Sequence, residues 1–163
     1  MKIGIIGLGV GEQHLLAYQK HPDCTVETVC DFDKNILDKY HKENPTFNLT
    51  NSADDILCDP SIDIVTIASW DNFHHSQIIK GLNNGKHIFV EKPVCINMDE
   101  AKDIVRCLKK NNTLKITSNL ILRKSPRFID LKTMIDKKKL GNIFSIEGDY
   151  NYGRKWKITD RKV

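Results

Sequence analysis

Apolar residues fall along this chain in two alternating rhythms. Short β-branched runs read as buried strands: Lys2 to Gly7, "VETVC" from Val26, "DIVTIAS" from Asp63, "HIFV" from His87 and "LKITS" from Leu114. Stretches with apolar residues three or four apart lie between them and read as helices. Gln13 to Lys20 is stopped by His21-Pro22, Asp33 caps a helix towards Asn44, and Ser52 caps a short one through Leu57. His74 to Asn83 ends at Gly85, and Asn97 caps a helix in which Met98, Ala101, Ile104, Val105 and Leu108 share one face. Thr46 to Leu49 is a weak extra strand. Apolar strands separated by helices imply a parallel sheet covered on both faces, hence an α/β fold.

The pattern changes near the end. Ser125 to Lys139 reads as a last helix with Phe128, Leu131 and Ile135 inward, lysines at its C-terminal dipole and Gly141 as its stop. "NIFSIEGDYNY" from Asn142 then alternates like a half-exposed antiparallel strand. A boundary is therefore expected near Gly141, with one domain over 1–141 and the beginning of another over 142–163. One strand without ladder partners is unstable alone. Ile143, Phe144, Ile146, Tyr150, Tyr152 and Trp156 would then expose an apolar edge, which favours a homo-oligomer formed through 142–156 or else leaves that segment flexible.

Composition narrows the function classes. With 163 residues and 40% hydrophobic content the chain can bury the core of one domain and part of a second. The net charge of +4 comes from lysines interleaved with acids, without the aromatic-spaced basic stripe of a nucleic-acid binder. No apolar run approaches the roughly 20 residues of a membrane span, and the apolar start lacks the small-residue cleavage site of a signal peptide. The 5 cysteines are scattered, odd in number and without a CxxC pair, which suits a reducing cytoplasm. His74, His75, His87 and Cys95 lack metal-ligand spacing, so no metal is expected. "GLNNGKH" fails as a P-loop, because its glycines are too close and no Ser or Thr follows Lys86.

The candidate chemistry begins at "GIIGLGVGEQHL". Gly7-Leu8-Gly9 stands between a strand and a helix, and Asp31 ends the second strand. Glycines there let the turn close and let main chain approach a pyrophosphate, while the carboxylate can accept ribose hydroxyls. The third glycine of the fingerprint is displaced: its position holds Glu12, and Gly11 comes one residue early. Spacing alone leaves a methyltransferase cradle or a glycine turn without ligand as alternatives.

Together with "VETVCDFD" and "IASWDNFHHSQIIKGLNNGKHIFVEKPV", this stretch resembles the Gfo/Idh/MocA oxidoreductases, named after glucose-fructose oxidoreductase and inositol dehydrogenase. Glu91-Lys92-Pro93 carries the resemblance most specifically, with Asn72 and His74 before it and Asn119 and Arg123 after it. The family's usual Thr-Pro is replaced by Ser69-Trp70. The resemblance implies a Rossmann sheet of order 3-2-1-4-5-6 followed by the start of a truncated α/β domain. It also implies NAD as cofactor, held by Gly7, Leu8, Gly9, Val10, Gly11, Asp31, Ser69, Asn72, His74, Glu91, Lys92 and Asn119.

Lys92 is implied as the acid or base for the substrate hydroxyl, and Arg123, Tyr150 and Tyr152 as substrate contacts. A lysine of ordinary pKa, about 10.4, is a poor base at neutral pH, so that role requires a dry site or a neighbouring positive charge. Glu91 resembles the residue that contacts the nicotinamide ribose. The substrates implied are sugars, cyclitols or sugar nucleotides. The family's Asp and His that partner the lysine have no counterpart after Lys92. The expectation is therefore the NAD-binding portion of an oxidoreductase, inactive as this chain, with a non-catalytic dinucleotide-binding or assembly module as the alternative.

Overall fold

A computed structural model of the chain describes residues 1–43 and 46–151. Its strands are β1 (Lys2–Ile6), β2 (Thr25–Cys30), β3 (Asn48–Thr50), β4 (Ile64–Ile67), β5 (His87–Val90) and β6 (Ile116–Ser118). Its helices are α1 (Gly11–Gln19), α2 (Lys34–Glu43), α3 (Ala53–Leu57), α4 (Asp71–Asn83), α5 (Met98–Lys110) and α6 (Pro126–Asp136), the last preceded by a 3-10 turn at Ile121–Lys124. The six strands form one sheet of order β3-β2-β1-β4-β5-β6, and every pairing is parallel. This is the parallel sheet that the alternation of strands and helices implied, in the doubly wound Rossmann order that the family resemblance implied. The order reverses direction between β1 and β4, and the carboxyl ends of these two strands define the crevice where such sheets bind ligands.

Side chains alternate along each strand, so the sheet feeds two cores. Ile3, Ile5, Val29, Leu15 and Leu37 pack on the face covered by α1 and α2. Ile6, Val65, Ile67, Ile88 and Val90 pack with Ile56, Leu57, Ile78, Leu82, Ile104 and Cys107 of α3, α4 and α5 on the other. Loop ends are tied by side chains as well. Asp33 accepts the Asn35 N–H at 2.9 Å and Asn97 accepts the Glu100 N–H at 2.9 Å, as their cap positions anticipate. Lys86 is buried, and its Nζ donates to the carbonyls of Asp59 and Ile62.

Several expectations are corrected. α1 starts at Gly11 and α4 at Asp71, each earlier than the apolar periodicity shows, because their first turns carry polar residues. β3 is displaced to Asn48–Thr50, where it pairs with β2. Ser52 stands at the cap position of α3 without a side-chain cap bond. On α5 the buried positions are Ile104 and Cys107, whereas Met98 and Val105 are exposed. α6 stops at Asp136, so the lysine run lies beyond it, and Phe128, Leu131 and Ile135 are exposed rather than inward.

The chain divides after Leu120 into two compact units. Gly141, near which a boundary is expected, has φ 68° and ends the segment following α6. The antiparallel strand expected from Asn142 is not formed: residues 142–151 carry neither helix nor strand, since no described segment offers them a ladder. Among the described residues no helix is long and apolar enough to cross a membrane.

Candidate dinucleotide site

The glycine turn leaves β1 at Ile6 and enters α1 at Gly11. Its three glycines have different physical reasons. Gly7 has φ 90°, and a Cβ there would lie 2.4 Å from the Ala68 carbonyl oxygen, so the turn closes against main chain only without a side chain. A Cβ on Gly11 would meet Ile5 Cγ2 at 3.2 Å and Ala68 Cβ at 3.4 Å, so Gly11 lets α1 lie close on the sheet. That is the task of the fingerprint's third glycine, performed one residue early.

Gly9 is different, because a Cβ there would meet nothing within 4 Å. The protein itself therefore gives no reason for a glycine at this position, while the close approach of a ligand does. Among the described residues, no protein acceptor meets the main-chain N–H groups of Gly9 or Val10. Open space beside main chain with free donors at a helix start fits the pyrophosphate of NAD.

Asp31, at the end of β2, holds this turn. Its Oδ2 accepts the Leu8 N–H at 2.7 Å and its Oδ1 accepts the Asp33 N–H at 2.9 Å, with the residue 5% exposed. Each oxygen keeps a further lone pair for a hydroxyl. The neighbouring Cys30 thiol is pushed up to about 12 by burial and then by the charges of Asp31 and Asp55, so it is no nucleophile at neutral pH.

Across the switch point, Glu91 directly follows β5 and is the centre of a second network. Its Oε1 accepts from His14 Nε2 at 2.8 Å and from Asn119 Nδ2 at 2.7 Å, and its Oε2 accepts the Lys92 N–H at 3.3 Å. Burial alone pushes this carboxyl up, but the hydrogen bonds from Asn119, His14 and the Lys92 main chain outweigh it and hold Glu91 below its ordinary value. Glu91 is thus an anion fixed from α1, β5 and the end of β6. Lys92 follows it, exposed, with the Lys92–Pro93 bond cis.

His74 is fully buried in α4, its Nδ1 2.6 Å from the Pro93 carbonyl and its Nε2 3.1 Å from the Ser69 carbonyl. Both partners are acceptors, so a neutral ring donates to one and an imidazolium to both. With both nitrogens taken up by main chain, His74 ties the Lys92–Pro93 turn to the β4–α4 loop. Ser69 donates its hydroxyl to Gln77 at 2.7 Å, and Asn72 is exposed on the first turn of α4.

Arg123 and Tyr150 belong to the second unit and are exposed, and Tyr152 lies outside the described residues. His14 was not singled out from the sequence. Its signal was available: three positions after Gly11, it is a polar side chain on the helix face that packs against the sheet. Among the described residues no group of His, Cys, Asp and Glu could hold a metal ion.

Residues 1–118 match the oxidoreductase family with an NAD-binding Rossmann fold known as GFO_IDH_MocA. The chain belongs to this family. Relatives include inositol 2-dehydrogenase of Salmonella typhimurium, 25% identical over 154 residues that make up 91% of this chain and 45% of that protein. An uncharacterized oxidoreductase of Bacillus subtilis, YrbE, is 29% identical over 140 residues, 85% of this chain and 40% of that one. The crystal structure of scyllo-inositol dehydrogenase from Lactobacillus casei with bound NAD(H) and scyllo-inositol superimposes with a TM-score of 0.81 at 29% identity, covering 88% of this chain and 43% of that one. The chain thus spans under half the length of the relatives it matches. It is an NAD-binding oxidoreductase domain of the family's N-terminal type.

Proposed function

We propose that this chain is the NAD(H)-binding portion of a dehydrogenase acting on the hydroxyl or keto carbon of a cyclitol, sugar or sugar nucleotide. The observation that carries the reading is the glycine turn: Gly9 stands in open space beside free main-chain donors while Asp31 holds the turn by the Leu8 N–H. The inositol dehydrogenases among the relatives support the substrate class.

The turn and the start of α1 bind the pyrophosphate through main-chain N–H groups, and Asp31 accepts the hydroxyls of the adenosine ribose. Glu91 accepts a hydroxyl of the nicotinamide ribose. Bound NAD supplies a carbon that takes up hydride. During oxidation, the substrate hydroxyl would give its proton to neutral Lys92 Nζ, and the hydrogen on the carbon bearing that hydroxyl would leave with its bonding electrons to bound NAD, so that a ketone remains. In reduction the Lys92 ammonium returns that proton. Lys92 is exposed, so the first unit alone does not build the dry surroundings that a lysine base requires.

The direct test joins this chain to the C-terminal half of a related inositol dehydrogenase and follows inositol-dependent reduction of NAD by absorbance. Turnover that Lys92→Ala abolishes, with NADH affinity kept within about threefold, is the expected result. Turnover unaffected by that substitution refutes the role of Lys92, and NADH binding without turnover in the joined protein identifies a non-catalytic binding module.

A further inference from the structure

The buried face of α1 carries a polar side chain that reaches far from the glycine turn. The His14 ring centroid lies 5.0 Å from that of Phe89 on β5, edge to face, and its side chain is 15% exposed. From there Nε2 donates to Glu91 Oε1 at 2.8 Å, joining residues 77 apart in sequence. Asn119 Nδ2 donates to the same oxygen at 2.7 Å. A carboxylate oxygen offers about two lone-pair sites, so Oε1 is filled. Among the described residues, Oε2 receives only the long bond from the Lys92 N–H, 3.3 Å, and keeps acceptor capacity.

The order of the strands says what that capacity faces. In a doubly wound sheet the two halves of a dinucleotide lie on either side of the switch point, outside the carboxyl ends of the strands. With the pyrophosphate at the glycine turn and the first nucleoside towards Asp31 after β2, the second nucleoside lies over β4 and β5, where Glu91 directly follows its strand. We propose that His14 is a positioning residue of this site: by filling Oε1 together with Asn119 it fixes the Glu91 carboxylate so that Oε2 accepts a hydroxyl of the second nucleoside. This rests on the NAD reading above. The helix that starts at the pyrophosphate thereby also sets the acceptor for the other end of the ligand.

The consequence is a split that a general loss of stability does not produce: His14 contributes to affinity for the whole dinucleotide and not for its adenosine half. Titration calorimetry of the chain, His14→Leu and His14→Gln with NADH and with ADP tests it. His14→Leu is expected to weaken NADH about tenfold, the effect of one charge-assisted hydrogen bond, while ADP affinity stays within about twofold. His14→Gln, whose amide nitrogen reaches about as far as Nε2, is expected to recover most of the NADH affinity. In the unsubstituted chain, NADH should shift the His14 imidazole nitrogen resonances and ADP should not, a readout that does not depend on any variant folding. Unchanged NADH affinity in His14→Leu, equal losses for NADH and ADP, no recovery in His14→Gln, or resonances unmoved by NADH would each overturn the proposal. Failure of the unsubstituted chain to bind either ligand refutes the NAD reading itself, and the proposal with it.

Discussion

Two glycines two positions apart should respond to the same substitution in opposite ways. At Gly7 an alanine methyl would sit 2.4 Å from the Ala68 carbonyl oxygen and 2.6 Å from its carbon, with φ at 90°. The left-handed backbone costs about 1–3 kcal/mol and the displaced main chain about 1–3 kcal/mol more, so Gly7→Ala is expected to destabilise by roughly 2–6 kcal/mol. At Gly9 the same methyl meets nothing within 4 Å, and φ lies outside the left-handed region. Gly9→Ala therefore changes stability by less than about 1 kcal/mol, yet puts a methyl where a pyrophosphate must approach main chain. Urea unfolding separates the first effect and NADH titration the second. The expected outcome is a large fall in midpoint for Gly7→Ala, and an unchanged midpoint with at least about tenfold weaker NADH binding for Gly9→Ala. Full NADH affinity in Gly9→Ala would refute the assignment of the open space to the ligand.

Other predictions follow from the networks around Glu91 and His74. Glu91 titrates below its ordinary value of 4.5, so its ionisation stabilises the fold above that value, and the gain is lost as pH falls through the lower folded value. Glu91→Gln should accordingly be less stable than the unsubstituted chain at neutral pH, with the difference closing in acid; urea midpoints across pH check it. His74→Ala removes a fully buried ring that bridges the Pro93 and Ser69 carbonyls, and with it the hydrogen bond the ring donates, at roughly 2–5 kcal/mol, measured by the same unfolding assay. Phe144, Ile146 and Tyr150 are more than three-quarters exposed, at 99%, 80% and 83%. Ending the chain at Gly141 should therefore reduce self-association in sedimentation, and identical behaviour of the two chains would rule out this segment as the contact.

What could be read from the sequence follows from the range of the forces involved. β1, β4 and β5 announce themselves because strands buried on both faces are runs of Ile, Val and Phe, a purely local pattern. The glycine turn and Asp31 are likewise visible as spacing. The hydrogen bond from the Leu8 N–H to Asp31 is not, nor is the convergence of His14 and Asn119 on Glu91, since these join residues 23, 77 and 28 apart that only the strand order brings together. His74 was legible as a motif member but not as a residue with both nitrogens committed to main chain. α6 shows the converse failure: Phe128, Leu131 and Ile135 have the spacing of an inward face, but periodicity does not supply the surface that would cover it.

The central claim, that the turn from Gly7 to Gly11 and the carboxylate of Asp31 form an NAD site, is tested most directly by titrating the chain with NADH and NADPH in parallel. A phosphate on the adenosine ribose would be brought against Asp31, and two unit charges about 4 Å apart at an effective dielectric near 20 repel by roughly 4 kcal/mol. NADH is therefore expected to bind, with NADPH weaker by at least about thirtyfold even if screening halves that repulsion. Asp31→Asn should narrow the gap between the two. NADPH binding as tight as NADH, or no binding of either, would contradict the account.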